Sequence, residues 1–410
     1  MSQLNSNQPL KKVVIIAAIC VFSTQFGVTV VAPLLGEWVE ASEAPSFVSA
    51  LIFSAFTIVS TPLSVPGGIM SDKFGRKPLI VAGLLLYAVA SALFPFSSST
   101  YDWIFVRALQ GAGAGLFFPV VTALLSEVTS SEERGHAMSF YNIGLGAGLA
   151  LGPVSGGILY DTYGIFMPFF LCAAFALLSV VLVLLFVQEP KVRSKRKGKG
   201  LSLSESGRKT LSLSCVVIFF GIGVAAIMGA LFSPFAIADL ELLDIELPTG
   251  IAIHATGIIG AILSAMFAVF VILQTGFNRL MKYIGANNLS IAGLFLCACG
   301  LFVLYIATSL SELFIMSVFL GAGLGAISLG TLTLASKAAS EGEREQEGKV
   351  MGIYYTVFYA GLGGVPLVCG AFSYIFGARL LFLGYAVLLF VLMVVVWKVG
   401  FGRKLFLSSF

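Results

Sequence analysis

Long apolar runs alternate with short polar breaks along the whole chain. Runs of about 20 apolar residues are the length that crosses bilayer hydrocarbon as a helix. They recur at 12–35, 47–70, 78–97, 102–126, 137–160, 164–187, 211–236, 249–275, 287–308, 311–335, 350–375 and 378–399. The pattern predicts an all-α integral membrane protein with twelve transmembrane helices. Lys11-Lys12 ahead of the first run resembles the start of a secretory leader. The run is too long for one and no small-x-small site follows promptly, so it is read as the first span.

The polar breaks differ in sign. Glu37, Glu40 and Glu43 follow the first span, and Asp239, Glu241, Asp244 and Glu246 follow the seventh, both without a cation. The alternate breaks carry Lys73, Arg76 and Lys77, then Arg134, the run from Lys191 to Lys209, Arg279 and Lys282, and Lys337, Arg344 and Lys349. Among 24 Lys and Arg, only Arg107 and Arg379 fall on the other side. Positive charge is retained in the cytoplasm, so a multi-pass cell-membrane protein with both termini cytoplasmic is expected.

Signals also repeat at a fixed distance. Gly111-Ala112-Gly113 leads to Ser126 and Arg134, and Gly321-Ala322-Gly323 leads to Ser336 and Arg344, each 210 positions on. The basic, Ser-rich break at 189–210 lies midway. These features divide the chain into a six-helix bundle at 1–188, a cytoplasmic linker at 189–210 and a second six-helix bundle at 211–410. The two bundles are expected to be pseudo-symmetric, the architecture of transporters that bind substrate between repeats.

Composition agrees with lipid as the main solvent: 58% of residues are hydrophobic, 11% are charged and the mean hydropathy is +1.00. A soluble domain carries about 25% charged residues. The linker's cations suit anionic headgroups better than nucleic acid. The six cysteines all fall inside spans without zinc-ligand spacing, and His136 and His254 have no metal-ligand partners nearby. No metal and no cofactor is expected, since no phosphate-cradling loop precedes a basic residue.

The most specific local motif is Gly68-Ile69-Met70-Ser71-Asp72-Lys73-Phe74-Gly75-Arg76-Lys77, between the second and third spans. Gly75 permits positive φ, and Asp72 is placed to cap a helix N-terminus or pair with a cation. Gly68, Asp72, Gly75, Arg76 and Lys77 are therefore expected to form a conformational latch. In the second half Lys282 replaces Asp72, so the latch is one-sided.

This loop resembles the signature of the major facilitator superfamily, Gly-x-Leu-(Ala/Ser)-Asp-(Arg/Lys)-x-Gly-Arg-(Arg/Lys), with Met70 in place of Leu. The resemblance extends to Arg107-Ala108-Leu109-Gln110-Gly111 in the fourth span, and to Phe26-Gly27 through Ala32-Pro33-Leu34 in the first. It also covers Gly148-Leu149-Ala150-Leu151-Gly152-Pro153-Val154-Ser155-Gly156-Gly157 in the fifth. The set is similar to the twelve-span drug:proton antiporter branch. The resemblance implies a fifth-helix kink and outer seal built on Gly148, Gly152, Pro153, Gly156 and Gly157. It also places Arg107 in the central cavity, coupled to protons or substrate.

Ionisable side chains within a bilayer are functional candidates because they cost at least about 2.5–3.5 kcal/mol there. Arg107 qualifies, with Gln110 beside it; snorkelling to the outer interface is its bland alternative. His254 is expected at a similar depth in the eighth helix and could titrate near neutral pH. No Asp or Glu lies mid-span, which disfavours cationic cargo. Polar and aromatic interruptions mark candidate cavity groups: Thr24, Gln25, Tyr141, Asn142, Tyr355 and Tyr359, with Phe117, Met228 and Phe232 as apolar walls. The expected activity is efflux of small amphipathic or lipophilic molecules by a monomer, with protons as coupling ion and no enzymatic step. An uptake symporter, or a translocator of lipid or anionic metabolites, is the alternative.

Overall fold

The computed structural model describes residues 10–45, 47–130, 133–189, 203–240, 245–246, 252–340 and 347–407. Arg344, Glu241, Asp244 and the linker cations from Lys191 to Lys199 lie outside the described residues. Among the described residues, twelve helical segments are long and apolar enough to cross a membrane.

The first span joins α1 (Leu10–Val30) through a single 3₁₀ turn at Ala32–Leu34 to the short α2 (Leu35–Ala41). Pro33 lies in that turn, where it removes a backbone donor and breaks the α-helical ladder. The others are α3 (Phe47–Phe74), α4 (Arg76–Leu93), α5 (Thr100–Val128), α6 (Arg134–Tyr163), α7 (Phe166–Phe186), α8 (Glu205–Ala238), α9 (Ala255–Ile284), α10 (Ala286–Ile306), α11 (Leu310–Ser340), α12 (Glu347–Phe376) and α13 (Ala378–Leu407). One departure from an all-α chain is a two-residue antiparallel ladder, β1 (Ile245–Glu246) with β2 (Ala252–Ile253).

Its second strand occupies residues expected to open the eighth span. α9 starts only at Ala255, so His254 precedes the helix rather than lying within it. The placement expected for His254 within the helix is thereby corrected: it immediately precedes α9.

By internal contacts the chain forms two compact units. One takes the described residues up to Leu34 and those of Ala55–Lys197 and Ile245–Gly260; the other takes Leu35–Ser54 and those of Gly198–Asp244 and Ala261–Phe410. In the first unit α1 packs along α6, and α4 along α5 and α7. In the second α10 packs along α11 and α13, and α8 along α11 and α12.

The repeat read from the sequence survives as atomic contacts. A Cβ built on Gly113 of α5 would stand 2.7 Å from the Gly83 carbonyl oxygen of α4. Its counterpart Gly323 of α11 meets the Gly293 oxygen of α10 at 2.8 Å. Both members of the pair have moved by 210 positions. Gly75 and Gly285, again 210 apart, are the positive-φ residues (110° and 82°) that precede α4 and α10. Backbones this close exclude any side chain, which is how helices associate where lipid offers no hydrophobic drive.

Candidate functional site

A cluster of charged side chains gathers where α3, α4, α5 and α7 end or begin near Gly75. Gly75 takes φ 110°, a conformation that L side chains rarely adopt. The chain therefore leaves α3 and enters α4 within one residue, which brings Arg76 back toward the helix it has just left. Its Nη2 lies 2.5 Å from Asp72 Oδ1 and 2.7 Å from Glu127 Oε1, and its Nη1 donates to Ser71 Oγ. Arg76 is buried, with 9% of its side chain exposed; Glu127 shows 16% and Asp72 59%.

Those exposures rank the two limbs. A solvent-exposed ion pair is worth about 0–1 kcal/mol. Removing one member of a buried pair costs about 3–5 kcal/mol, because the remaining charge is left uncompensated. Glu127 is the structural anchor of Arg76, and Asp72 the weaker and more breakable limb.

The expected choice for Asp72 between cation partner and helix cap is settled: it pairs with Arg76. The N-terminus of α4 is capped by Glu189, which sequence reading placed in the linker. Its Oε1 accepts the Arg76 N–H at 2.6 Å and its Oε2 the Lys77 N–H at 2.8 Å. Lys77 Nζ answers by donating to the Leu184 carbonyl at 2.8 Å, near the C-terminal end of α7. Each contact sets a charge against the complementary end of a helix dipole. Gly68, also assigned to the latch, has open space where a side chain would stand.

The second unit keeps the turn and loses the arginine and both carboxylates. At the positions of Asp72, Arg76 and Glu127 it has Lys282, Ala286 and Lys337.

Deeper in the first unit, Arg107 is fully buried, so its side chain does not snorkel outward. Nη1 donates to Gln110 Oε1 at 3.1 Å, and the guanidinium carbon stands 5.1 Å from the centre of the Phe56 ring. Gln110 Nε2 donates to Ser91 Oγ at 2.9 Å, and Ser91 Oγ to the Tyr87 carbonyl at 2.8 Å. Tyr87 Oη in turn donates to the Thr24 carbonyl at 2.8 Å. A polar chain thus runs from α5 through α4 to α1 inside the first unit. Sequence reading found Arg107 and Gln110 but not Ser91 or Tyr87, whose hydroxyls look like ordinary helix residues until the helices meet.

The fifth-span motif resolves into two contacts of α6. Gly148, Gly152 and Gly156 form one stripe against α1, where Thr29 Oγ1 donates to the Gly148 carbonyl at 3.2 Å. Gly157 meets the backbone of Thr256 and Gly257, and Gly260 meets the Pro153 carbonyl. Asp161 follows, one helical turn on: its Oδ2 accepts the Gly257 N–H at 2.9 Å and its Oδ1 the Thr256 hydroxyl. α6 continues through Pro153 without a break in the helix.

The remaining cavity candidates divide by exposure. Thr24, Phe117, Met228 and Phe232 are enclosed in protein, and Thr24 Oγ1 is bonded to its own helix at Cys20 and Val21. Gln25, Tyr141 and Tyr359 are half-buried, while Asn142 and Tyr355 are exposed. Among the described residues, no three His, Cys, Asp or Glu are grouped so as to hold a metal ion.

Comparison with known proteins adds an independent line. The sequence model of the Major Facilitator Superfamily matches residues 17–268 and again 213–404. Multidrug resistance protein 1 of Bacillus subtilis is 30% identical over 295 residues, covering 70% of this chain and 71% of its own length. Quinolone resistance protein NorA of Staphylococcus aureus strain Mu50 is 24% identical over 357 residues, 86% of this chain and 87% of its own. A solved bacterial homolog of the human lysosomal transporter Spinster shares the fold at a TM-score of 0.75 and 14% identity, covering 95% of this chain and 97% of that one.

Proposed function

The chain belongs to the major facilitator superfamily, and on that premise we propose that it exports small amphipathic or lipophilic molecules across the cell membrane in exchange for protons. Its six-helix halves, 1–188 and 211–410, alternate access to a shared site, with both termini in the cytoplasm. The latch at Asp72, Arg76 and Glu127 holds the cytoplasmic ends of α3, α4 and α5 together. The Gly-rich face of α6 seals the outer side.

The observation that carries this reading is the buried Arg107 with its hydrogen-bonded chain to Ser91 and Tyr87. A fixed cation in a low-dielectric interior is expensive unless used. Relatives named for multidrug and quinolone resistance support export as the direction. Among the described residues every Asp and Glu of the spans lies toward a helix end. The described spans therefore offer no mid-span carboxylate of the kind that would attract a cationic cargo.

The same cation supports a second reading, translocation of an anionic metabolite or lipid, for which Arg107 would neutralise the cargo. One experiment separates the two. Purified protein is screened for thermal stabilisation by neutral lipophiles and by organic anions at two pH values. The stabilising compounds are then followed in inside-out vesicles under an imposed pH gradient. Gradient-driven accumulation of lipophiles supports the exporter. Gradient-independent movement of anions alone would replace it with the translocator.

A further inference from the structure

We propose that Glu189 is a positioning residue of the latch, fixing the place from which Arg76 reaches Glu127. The proposal rests on the reading of this cluster as a latch and extends it to a fourth helix. Arg76 is held at two points. Its guanidinium binds Ser71, Asp72 and Glu127, and its backbone N–H is held by Glu189. The second hold fixes the origin of the side chain and the first fixes its end.

The geometry is specific to this position. Gly75 leaves room for the Glu189 carboxylate, which lies 2.8 Å from where a Cβ on residue 75 would stand. A side chain there would displace Glu189 as well as strain the turn. The need for glycine at 75 is therefore twofold, φ and access. Glu189 uses both oxygens on two successive amides, and Lys77 returns a bond to the Leu184 carbonyl. The end of α7 and the start of α4 are thus clasped in both directions by charges on helix termini. Any movement that draws the end of α7 away from α4 releases the first turn of α4, and with it the anchor point of Arg76.

A merely local cap and a positioning residue make different predictions. A cap contributes its own increment whatever Glu127 does. A positioning residue acts through the Arg76–Glu127 contact, so its loss overlaps with the loss of Glu127. The test is a double-mutant cycle on the full-length protein in lipid nanodiscs, comparing Glu189→Gln, Glu127→Gln and the double variant by melting temperature. Hydrogen exchange of the peptide spanning Arg76 and Lys77 is measured alongside.

Glu189→Gln is expected to raise exchange in that first turn about tenfold, equivalent to about 1.4 kcal/mol. The double variant is expected to melt within experimental error of Glu127→Gln alone. Fully additive melting shifts, or unchanged exchange in Glu189→Gln, would overturn the proposal. Should Glu189→Gln not accumulate in membranes, Glu189→Asp keeps the charge with a shorter reach and passes through the same cycle with the same two outcomes. None of these readouts measures transport. A failure of the export reading would appear in the vesicle fluxes and leave the cycle intact.

Discussion

Asp161 at the end of α6 accepts the Gly257 N–H at 2.9 Å together with the Thr256 hydroxyl, and so closes the first turn of α9 with a side chain from another helix. An N-cap contributes about 0.5–2 kcal/mol, and here that energy also joins two helices. Asp161→Ala is expected to raise hydrogen exchange across Thr256–Ile259 and to expose the C-terminal end of α6 to membrane-impermeant thiol reagents at a cysteine placed at Thr162. Unaltered exchange in that turn would show that the contact carries no energy.

The unequal burial of the latch carboxylates predicts unequal losses. Glu127→Gln should destabilise more than Asp72→Asn, because Arg76 then keeps only the exposed carboxylate of Asp72. Asp72→Asn should cost no more than about 1 kcal/mol while slowing turnover and leaving substrate affinity largely intact. Denaturation of both variants in matched detergent checks the ranking, and equal losses would contradict it.

Glycine pairs at matched positions of the two units should behave alike. Gly113→Ala and Gly323→Ala each drive a methyl against a backbone carbonyl, at 2.7 Å and 2.8 Å. Overpacking of this kind costs about 1–3 kcal/mol. Gly68→Ala meets open space and should be neutral in the same melting assay. A large loss at Gly68 alone would mean that its role is not packing within this unit.

Arg107→Ala removes the head of the buried polar chain and is expected to abolish gradient-driven flux. Arg107→Lys keeps the charge but loses the planar fork that reaches Gln110 while lying over Phe56, and should retain only a small fraction. Flux in proteoliposomes under an imposed pH gradient decides, and full activity of the alanine variant would remove Arg107 from the mechanism.

Pro153 tests the proposed seal. Its carbonyl lies against Gly260, so the residue contributes a contact as well as a missing donor. Pro153→Ala restores the donor and is expected to alter proton leak in empty proteoliposomes, with fold and melting temperature preserved.

How much of this was legible varied with the range of the interaction. The twelve spans were readable because bilayer thickness imposes one length on every helix, and their apolar runs need no partner to be recognised. Gly75 was readable because positive φ is a property of a single residue. His254 was placed inside a helix because the apolar run continues past it, although Ala252–Ile253 form a strand and the helix begins at Ala255. Glu189 looked like linker because it sits 113 residues from the amide it caps. Its only sequence signal was an acid opening an otherwise basic break.

The sequence by itself determined the membrane class, the 210-residue repeat and the absence from the second half of counterparts to Asp72, Arg76 and Glu127, since each depends only on residue type and spacing. Tertiary structure alone decided which carboxylate anchors Arg76, which caps α4, and that Asp161 closes the first turn of α9. Those outcomes rest on distances of about 3 Å between groups far apart in the chain. Electrostatic worth at such distances is set by burial, and burial exists only once the helices have packed.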